Sequence, residues 1–509
     1  MGDENVQVLV VGAGLGGLSA TLFLARQGIR VLGVAKHAHT AVHPKATGQT
    51  PRTMEMMRLG GVEDAVMAGS VGGIVIKVAE SLKGRVFQTI VPDEGEFDLS
   101  ALSPAPFGMA SQDHVEPVLL DRARELGAEV RFRTELVSFT QDDTGVTARL
   151  LDLPTGRIGT VRADYLVAAD GHRGKVREGL GIERHGRGSL SHHIGVVFDA
   201  DLTGHTAPDK TTLYYLQNPA FTGAFVTTNT ERRNVLTVEY HPERGESAAD
   251  YPEQRCVELL RTATDVPDLE PKIVDIARWE MAAWMADRFS SGRVFLVGDA
   301  AKVTPPTGGL GGNTAVQDGY DIAWKLAAVL KGEAGPGLLA SYDQERRPYA
   351  QAVVDTSYHN YVERLAPQLK GPDVPEGIDP VELGFGFRCL SGAVLAEDDD
   401  VLENPYEPSG RAGFRAPHVV VERGGEQVST VDLFGHGWVL VTLDPAWSGC
   451  GVEVPALTDP SGQLAAKYGI GERGASLVRP DGVVAWRSPD LVIDPAASVR
   501  RVLAVVLDR

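Results

Sequence analysis

Two glycine-rich segments almost 290 residues apart carry the most specific chemistry in the chain. The first is Gly12-Ala13-Gly14-Leu15-Gly16-Gly17. The second runs from Gly298-Asp299 through Pro305-Pro306-Thr307-Gly308-Gly309-Leu310-Gly311-Gly312-Asn313. A run of the first kind binds pyrophosphate when it joins a strand to a helix. Gly12 permits the tight turn, Gly14 lets the backbone approach the anion, and Gly17 lets the following helix pack closely, with Gly16 between them. That helix would aim its N-terminal amides and positive dipole end at the phosphates. In the second segment Asp299 ends an apolar strand beside Gly298, where its carboxylate can accept a hydrogen bond from a hydroxyl group.

These loops need elements that hold them in place. Val6–Val11 is a short apolar run that reads as a buried parallel strand, and a helix continues through Leu18, Leu22, Phe23 and Ala25. A glycine pattern alone is weak in a chain with 58 glycines; its place between strand and helix gives it weight. One part of the dinucleotide fingerprint is missing. The second strand, Arg30–Val34, ends at Ala35-Lys36, where an acid would ordinarily bind the adenosine ribose. That contact must be weaker or supplied elsewhere, and Lys36 is a candidate for the adenosine side.

Further along, Thr50 caps a helix opened by Pro51, and a second helix starts near Gln112 and runs to Gly127. Strands are expected at 129–133, 136–141 and 146–150, the last two joined by the turn Asp142-Asp143-Thr144-Gly145. Another, 165–169, ends at Asp170-Gly171. From about Gly181 to Arg278 the pattern changes to longer alternating strands, among them Thr211–Gln217, Gly223–Thr228 and Asn234–Tyr240, which suggests an antiparallel sheet forming a separate layer. On such a strand Tyr214 and Tyr215 point to opposite faces, so one of them at most can face a ligand. The nucleotide fold resumes with Arg293–Val297 and a long helix from about Thr314 through Trp324 to Leu330. Pro367–Pro380 reads as a linker. Beyond it, strands near Val419, at 438–442, 475–478 and 483–486 suggest a small α/β domain.

The net charge of −19 argues against nucleic acid or an anionic membrane as partner. The residues before the first strand are acidic rather than basic, unlike a secretory leader, and the apolar stretch Val6–Ala25 is strand, loop and helix rather than a membrane span. Cys256, Cys389 and Cys450 form no C-x-x-C pair or zinc spacing, and the expected compartment is a reducing cytoplasm. His185, His192 and His193 lack the acidic or cysteine spacing of a metal centre, so no metal is expected.

The later motifs go beyond a generic dinucleotide fold. Asp170-Gly171-His172-Arg173, the Gly298-Asp299 loop with Gly309, Gly311, Gly312 and Asn313, Asp318 and Trp324-Lys325-Leu326 resemble the pattern of FAD-dependent aromatic hydroxylases, the single-component flavin monooxygenases. The segments Lys45–Glu55, Gly298–Gly309 and Leu477–Gly482 look most like the anthracycline and polyketide hydroxylases of the aklavinone hydroxylase type. Gly174 stands where the family usually has Ser, and Lys302 where many relatives have His.

The resemblance implies an α/β architecture in three parts. A Rossmann-like FAD domain comprises 1–75, 105–180 and 279–370; a substrate-binding antiparallel-sheet domain comprises 76–104 and 181–278; a thioredoxin-like domain, 381–509, has no dithiol pair. It also implies a cycle in which NADPH or NADH, bound transiently, reduces FAD, and O2 then supplies one oxygen atom to an electron-rich ring of an aromatic polyketide. Lys45, Gln112 and Asp170 join the glycine loops as flavin contacts. Tyr215 and Arg364 are the implied phenol contact and its cationic partner. Baeyer–Villiger or rearrangement chemistry on the same scaffold, and a non-catalytic FAD- or polyketide-binding role, are the alternatives. A monomer or homodimer is expected.

Overall fold

The computed structural model describes residues 4–91, 98–207, 209–227 and 233–509. Thr228, the last residue of one expected strand, and part of the 76–104 segment lie outside them. The apolar run before the first glycine loop is β1 (Glu4–Val11), whose last four residues are at most 6% exposed because covered parallel strands bury both faces. It is followed by α1 (Leu15–Arg26) and β2 (Val31–Val34). The helix expected from Gln112 is α2 (Gln112–Glu125), and β3 (Ile158–Ala168) lies against β1 on the side opposite β2. Val294–Leu296 adds a further parallel strand beyond β3, so the two glycine loops leave one end of one sheet.

The second sheet contains β4 (Arg184–Asp199), β5 (Thr211–Asn218), β6 (Phe221–Thr227), β7 (Arg233–Tyr240) and β8 (Lys272–Ala286). Its central order is β8-β4-β7-β6-β5, and Ile74–Ala79 continues it beyond β5. Ile74–Ala79 pairs parallel with β5, so the sheet expected to be antiparallel is mixed. Two expected boundaries also move: 75/76 falls inside Ile74–Ala79 and 278/279 falls inside β8. Both strands pair only within the second sheet, whose hydrogen bonding continues past the point where the sequence changes character, and only the last residues of β8, Met285 and Ala286, join the core of the first. Register shifts between β4 and β8 at Gly186/Gly188 and Ser189/Ser191 bend their ends, as bulges do.

Alternation divides this sheet cleanly. Ile194, Val196, Tyr214, Phe225, Leu236 and Val238 form a core with Cys256, Leu259 and Leu260 of the helix Glu253–Thr264. The residues between them face the other way. Two long helices follow: α3 (Leu310–Leu330), which packs on α1, and α4 (Ala340–Arg364), whose Val354 and Tyr358 share a core with Met281 and Ala283 of β8. The first of these begins at Leu310, about four residues earlier than expected, which places Gly311, Gly312 and Asn313 in its first turn. Helices α1 and α3 cross very closely: a Cβ on Gly319 would lie 2.5 Å from the Gly16 carbonyl oxygen.

The C-terminal strands form two three-stranded sheets, one of Val420–Arg423, Glu426–Ser429 and Leu457–Thr458, the other of Val439–Thr442, Ala475–Val478 and Val484–Ser488. This part docks on α3 and α4 through a buried polar network. Arg479, fully buried, donates to Glu345 and Asp481, and Lys325 donates to Glu345 and Asp321. The oxygens of Asp321, Glu345 and Asp481 converge, and each of the three already pairs with Lys325 or Arg479.

Candidate active site

A continuous cavity of about 2530 Å³ opens between the two sheets. Ligand pockets commonly enclose roughly 300–1,000 Å³, so this one has room for a large cofactor and a second molecule together. All of Gly12, Gly14, Gly16, Gly17, Lys36, Lys45, Gln112, Asp170, Tyr215, Gly298, Asp299, Gly309, Gly311, Gly312, Asn313 and Arg364 line it.

At the first loop the glycines have separate tasks. Gly12 has φ +112° and a Cβ there would sit 2.0 Å from the Ala169 carbonyl oxygen, so strand β3 approaches where only glycine fits. A Cβ on Gly17 would lie 2.0 Å from the Gly12 carbonyl oxygen, which sets the close return of α1. Gly14 meets only the far end of Glu116, 3.7 Å away, and caps α1 without a side-chain bond. The amides of the first turn of α1 therefore face the cavity unblocked, as an anion site requires. Helix α3 also starts without a side-chain cap, at Gly309 with φ +64°. FAD fits this pair of helix starts.

The intervening side chains pin the loops. Asn313 accepts from the Thr50 amide at 2.9 Å and donates to the carbonyls of Gly48 and Gly309 at 3.1 and 2.8 Å. Its side chain thus joins the segment after Lys45 to the second glycine loop. Gln112 donates to Glu116 at 2.6 Å, and Glu116 accepts from the Ala41 amide at 2.7 Å, holding the loop that carries the exposed Lys45. Burial raises the Glu116 pKa. Lys36 is exposed at the end of β2, and Ala35 is buried, its amide bonded to the Arg131 carbonyl.

Asp170 takes the Val176 amide on one oxygen at 3.1 Å, while its other oxygen is buried without a partner among the described residues. Burial raises its pKa. The departure at Gly174 now has a physical reason: a Cβ there would lie 2.1 to 2.3 Å from the Asp170 carboxylate, which fills the space a serine would need. Asp299 projects into the cavity, and the protein around it raises its pKa by desolvation, with His172, Lys302 and Lys45 opposing. Behind it, Asp318 on α3 accepts from the Gly298 amide at 3.0 Å, from Arg346 at 2.9 Å and from the buried Lys302. Lys302 therefore anchors the loop from behind; it does not line the cavity.

On the sheet side Tyr214 points into the core and Tyr215 into the cavity. Arg364, the last residue of α4, donates to the Thr307 carbonyl at 2.5 Å and lies within hydrogen-bonding reach of the Tyr215 hydroxyl. Burial raises the Tyr215 pKa and Arg364 opposes the shift, so the phenol is protonated at neutral pH. The expected linker 367–380 is also part of the wall, since Asp379 and Pro380 line the cavity. The histidines take separate partners: His185 bonds Asp287, His192 lies near Tyr240, and His193 bonds Ser191 and stacks on Trp279. The Ser191–His193–Trp279 group and Glu239, which line the cavity, were not anticipated as site residues. Only their alternation along strands signalled them.

Residues 5–357 match the FAD binding domain family, and residues 409–509 match the aromatic-ring hydroxylase C-terminal family. The chain is 50% identical to aklavinone 12-hydroxylase RdmE of Streptomyces purpurascens, with the whole of both chains covered. It is 54% identical to aklavinone 12-hydroxylase DnrF of Streptomyces peucetius, over 87% of this chain and 93% of that one. Among solved structures, a ternary complex of aklavinone-11 hydroxylase with FAD and aklavinone superposes with a TM-score of 0.95 at 50% identity over the full length of both chains. The flavin-dependent monooxygenase PieE, in complex with FAD and substrate, superposes with a TM-score of 0.87 at 31% identity and 99% coverage of each chain. No helix among the described residues is long and apolar enough to cross a membrane. The chain belongs to the FAD-dependent aromatic-ring hydroxylases.

Proposed function

We propose that this enzyme hydroxylates a planar, fused-ring aromatic polyketide of the anthracycline type, using NADPH and O2. The observation that carries this reading is the continuity of one cavity from the first glycine loop to the Tyr215–Arg364 pair on the sheet. It is supported by two relatives at 50% identity or more that are named aklavinone hydroxylases.

FAD supplies, once reduced, the activation of O2. The chain's residues bind and orient. The amides at the starts of α1 and α3 take the phosphates and ring edge, Asp299 takes a ribityl hydroxyl, and Lys36, Lys45, Gln112 and Asp170 complete the cofactor's surroundings. Tyr215 donates a hydrogen bond to a substrate phenol oxygen, and the Arg364 guanidinium stabilises negative charge there, which makes the ring a better nucleophile. Apolar residues of the cavity-facing strands exclude water. On this reading the first sheet is the Rossmann-like FAD domain, the second the substrate domain, and the last part a thioredoxin-like appendage whose buried Cys450 serves packing rather than dithiol exchange. Cytoplasmic residence of a monomer or homodimer goes with it.

The test is the absorption spectrum of the purified protein, followed by NADPH consumption across a panel of phenolic polyketides under 18O2. A flavin spectrum, substrate-stimulated oxidation and a product carrying one labelled oxygen with its rings intact are expected. A lactone or cleaved ring would replace hydroxylation by Baeyer–Villiger chemistry. A colourless protein indifferent to substrate would leave only binding.

A further inference from the structure

The cavity-facing side of the second sheet is ordered in rows. Tyr215 pairs with Ala224, Ala224 with Thr237, Thr237 with Gly195 and Gly195 with Ala277, so small side chains extend the floor away from Tyr215. In the adjacent row Glu239 of β7 pairs with His193 of β4, and His193 with Trp279 of β8. His193 stacks on Trp279 with ring centroids 4.5 Å apart and an interplanar angle of 15°, and its Nε2 lies 2.7 Å from the Ser191 hydroxyl. Burial holds His193 down to about 4, so it is neutral and no counter-ion for its neighbour.

Glu239 is the anomaly in this row. It lines the cavity half-buried, and no hydrogen bond or ion pair among the described residues reaches its carboxylate. His241, Glu243, Arg244 and the Tyr361 hydroxyl act on it only at a distance, and burial raises its pKa. A carboxylate taken partly out of water costs free energy until a donor satisfies it. From strand spacing and rise, Glu239 lies roughly 12 Å from Tyr215, a span that a fused-ring system covers.

We propose that Glu239 accepts a hydrogen bond from a donor substituent, a hydroxyl or an amino group, at the end of the substrate away from Tyr215, and thereby selects the ring carbon that is oxygenated. The inference rests on the polyketide hydroxylase reading above. With one end of a planar molecule on Tyr215 and Arg364 and the other on Glu239, sliding along the floor of small residues is prevented.

The experiment titrates the holoenzyme and its Glu239→Gln and Glu239→Ala variants with polyketides that differ at one terminal position, carrying hydroxyl, amino or hydrogen. Flavin absorbance reports binding, flavin content reports the fold, and NMR locates the new oxygen. Glu239→Ala should lose about tenfold or more in affinity for the substituted compounds, and none for the unsubstituted one. Its products should spread over more than one carbon. Glu239→Gln keeps a neutral acceptor: retention of hydroxyl binding identifies a hydroxyl donor, while a preferential loss of the amino compound identifies a cationic one. Equal losses for all three compounds, or no loss, would overturn the assignment. If Glu239→Ala fails to retain flavin, the Gln variant decides between these outcomes on the same substrate series, through its different losses for the amino, hydroxyl and unsubstituted compounds. Failure of the wild-type holoenzyme to bind or oxidise any polyketide would instead overturn the hydroxylase reading, and the role of Glu239 with it.

Discussion

Single side chains around the cavity differ in what their loss should do. Replacing Tyr215 by Phe removes the phenol hydroxyl but leaves its buried ring, so product formation should slow more than NADPH oxidation and peroxide leakage should rise; normal coupling would remove the proposed role of that tyrosine. Asp299 offers a test through pH. Burial raises its pKa, whereas a ribityl hydroxyl donating to it favours the ionised form. FAD affinity should therefore rise with pH through that raised pKa and level off above it, and Asp299→Ala should remain folded yet lose flavin. Flavin titrations of the apoprotein at several pH values check both; full occupancy in the variant would sink the assignment. Ala35 is a quieter case. Ala35→Glu should tighten FAD binding by about 1 kcal/mol or more through a charge-assisted bond to the ribose, unless another group already fills that place.

At the scale of elements, the glycines separate packing from conformational freedom. A Cβ on Gly17 would meet backbone, the Gly12 carbonyl at 2.0 Å, whereas one on Gly28 would meet nothing within 4 Å. Gly17→Ala should push α1 away from the turn, cost about 1–3 kcal/mol and lose flavin. Gly28, with φ +75°, should cost about 1–2 kcal/mol as Ala through backbone strain alone and keep its flavin. Flavin occupancy and denaturant midpoints of the two purified variants distinguish these effects. The strand–loop–helix around Gly12 was legible because it is contiguous and its constraints are local. The start of α3 was misjudged by about four residues because three of its first four residues, Gly311, Gly312 and Asn313, have poor helical propensity; packing against Ala46 and Leu15 overrides it.

The whole molecule is held together by buried charge as well as by apolar cores. Arg479 bridges the C-terminal part to Glu345 on α4 with no exposure at all. Arg479→Met should leave Glu345 and Asp481 short of a partner and destabilise the protein by about 3–5 kcal/mol. Asp400→Asn, which removes only the exposed partner of Arg411, should cost less than about 1 kcal/mol. Thermal unfolding of both variants, followed together with flavin release, would show whether the C-terminal part and the cofactor domain unfold as one unit; equal, small effects would argue that the network is structurally idle.

The sequence by itself determined the cofactor loops, the alternation that sends Tyr214 and Tyr215 to opposite faces, and the family, because each is written in short contiguous motifs, however far apart those motifs lie. Only the tertiary structure decided which strands are neighbours. Periodicity says which face a side chain takes but carries no information about the strand beside it, since that pairing is set by hydrogen bonds and packing between segments far apart in the chain. For that reason the row joining Glu239, His193 and Trp279, the hold of Asp318 on Lys302 and Arg346, and the place of Met285 and Ala286 at the end of β8 in the core of the first sheet became visible only in the folded molecule.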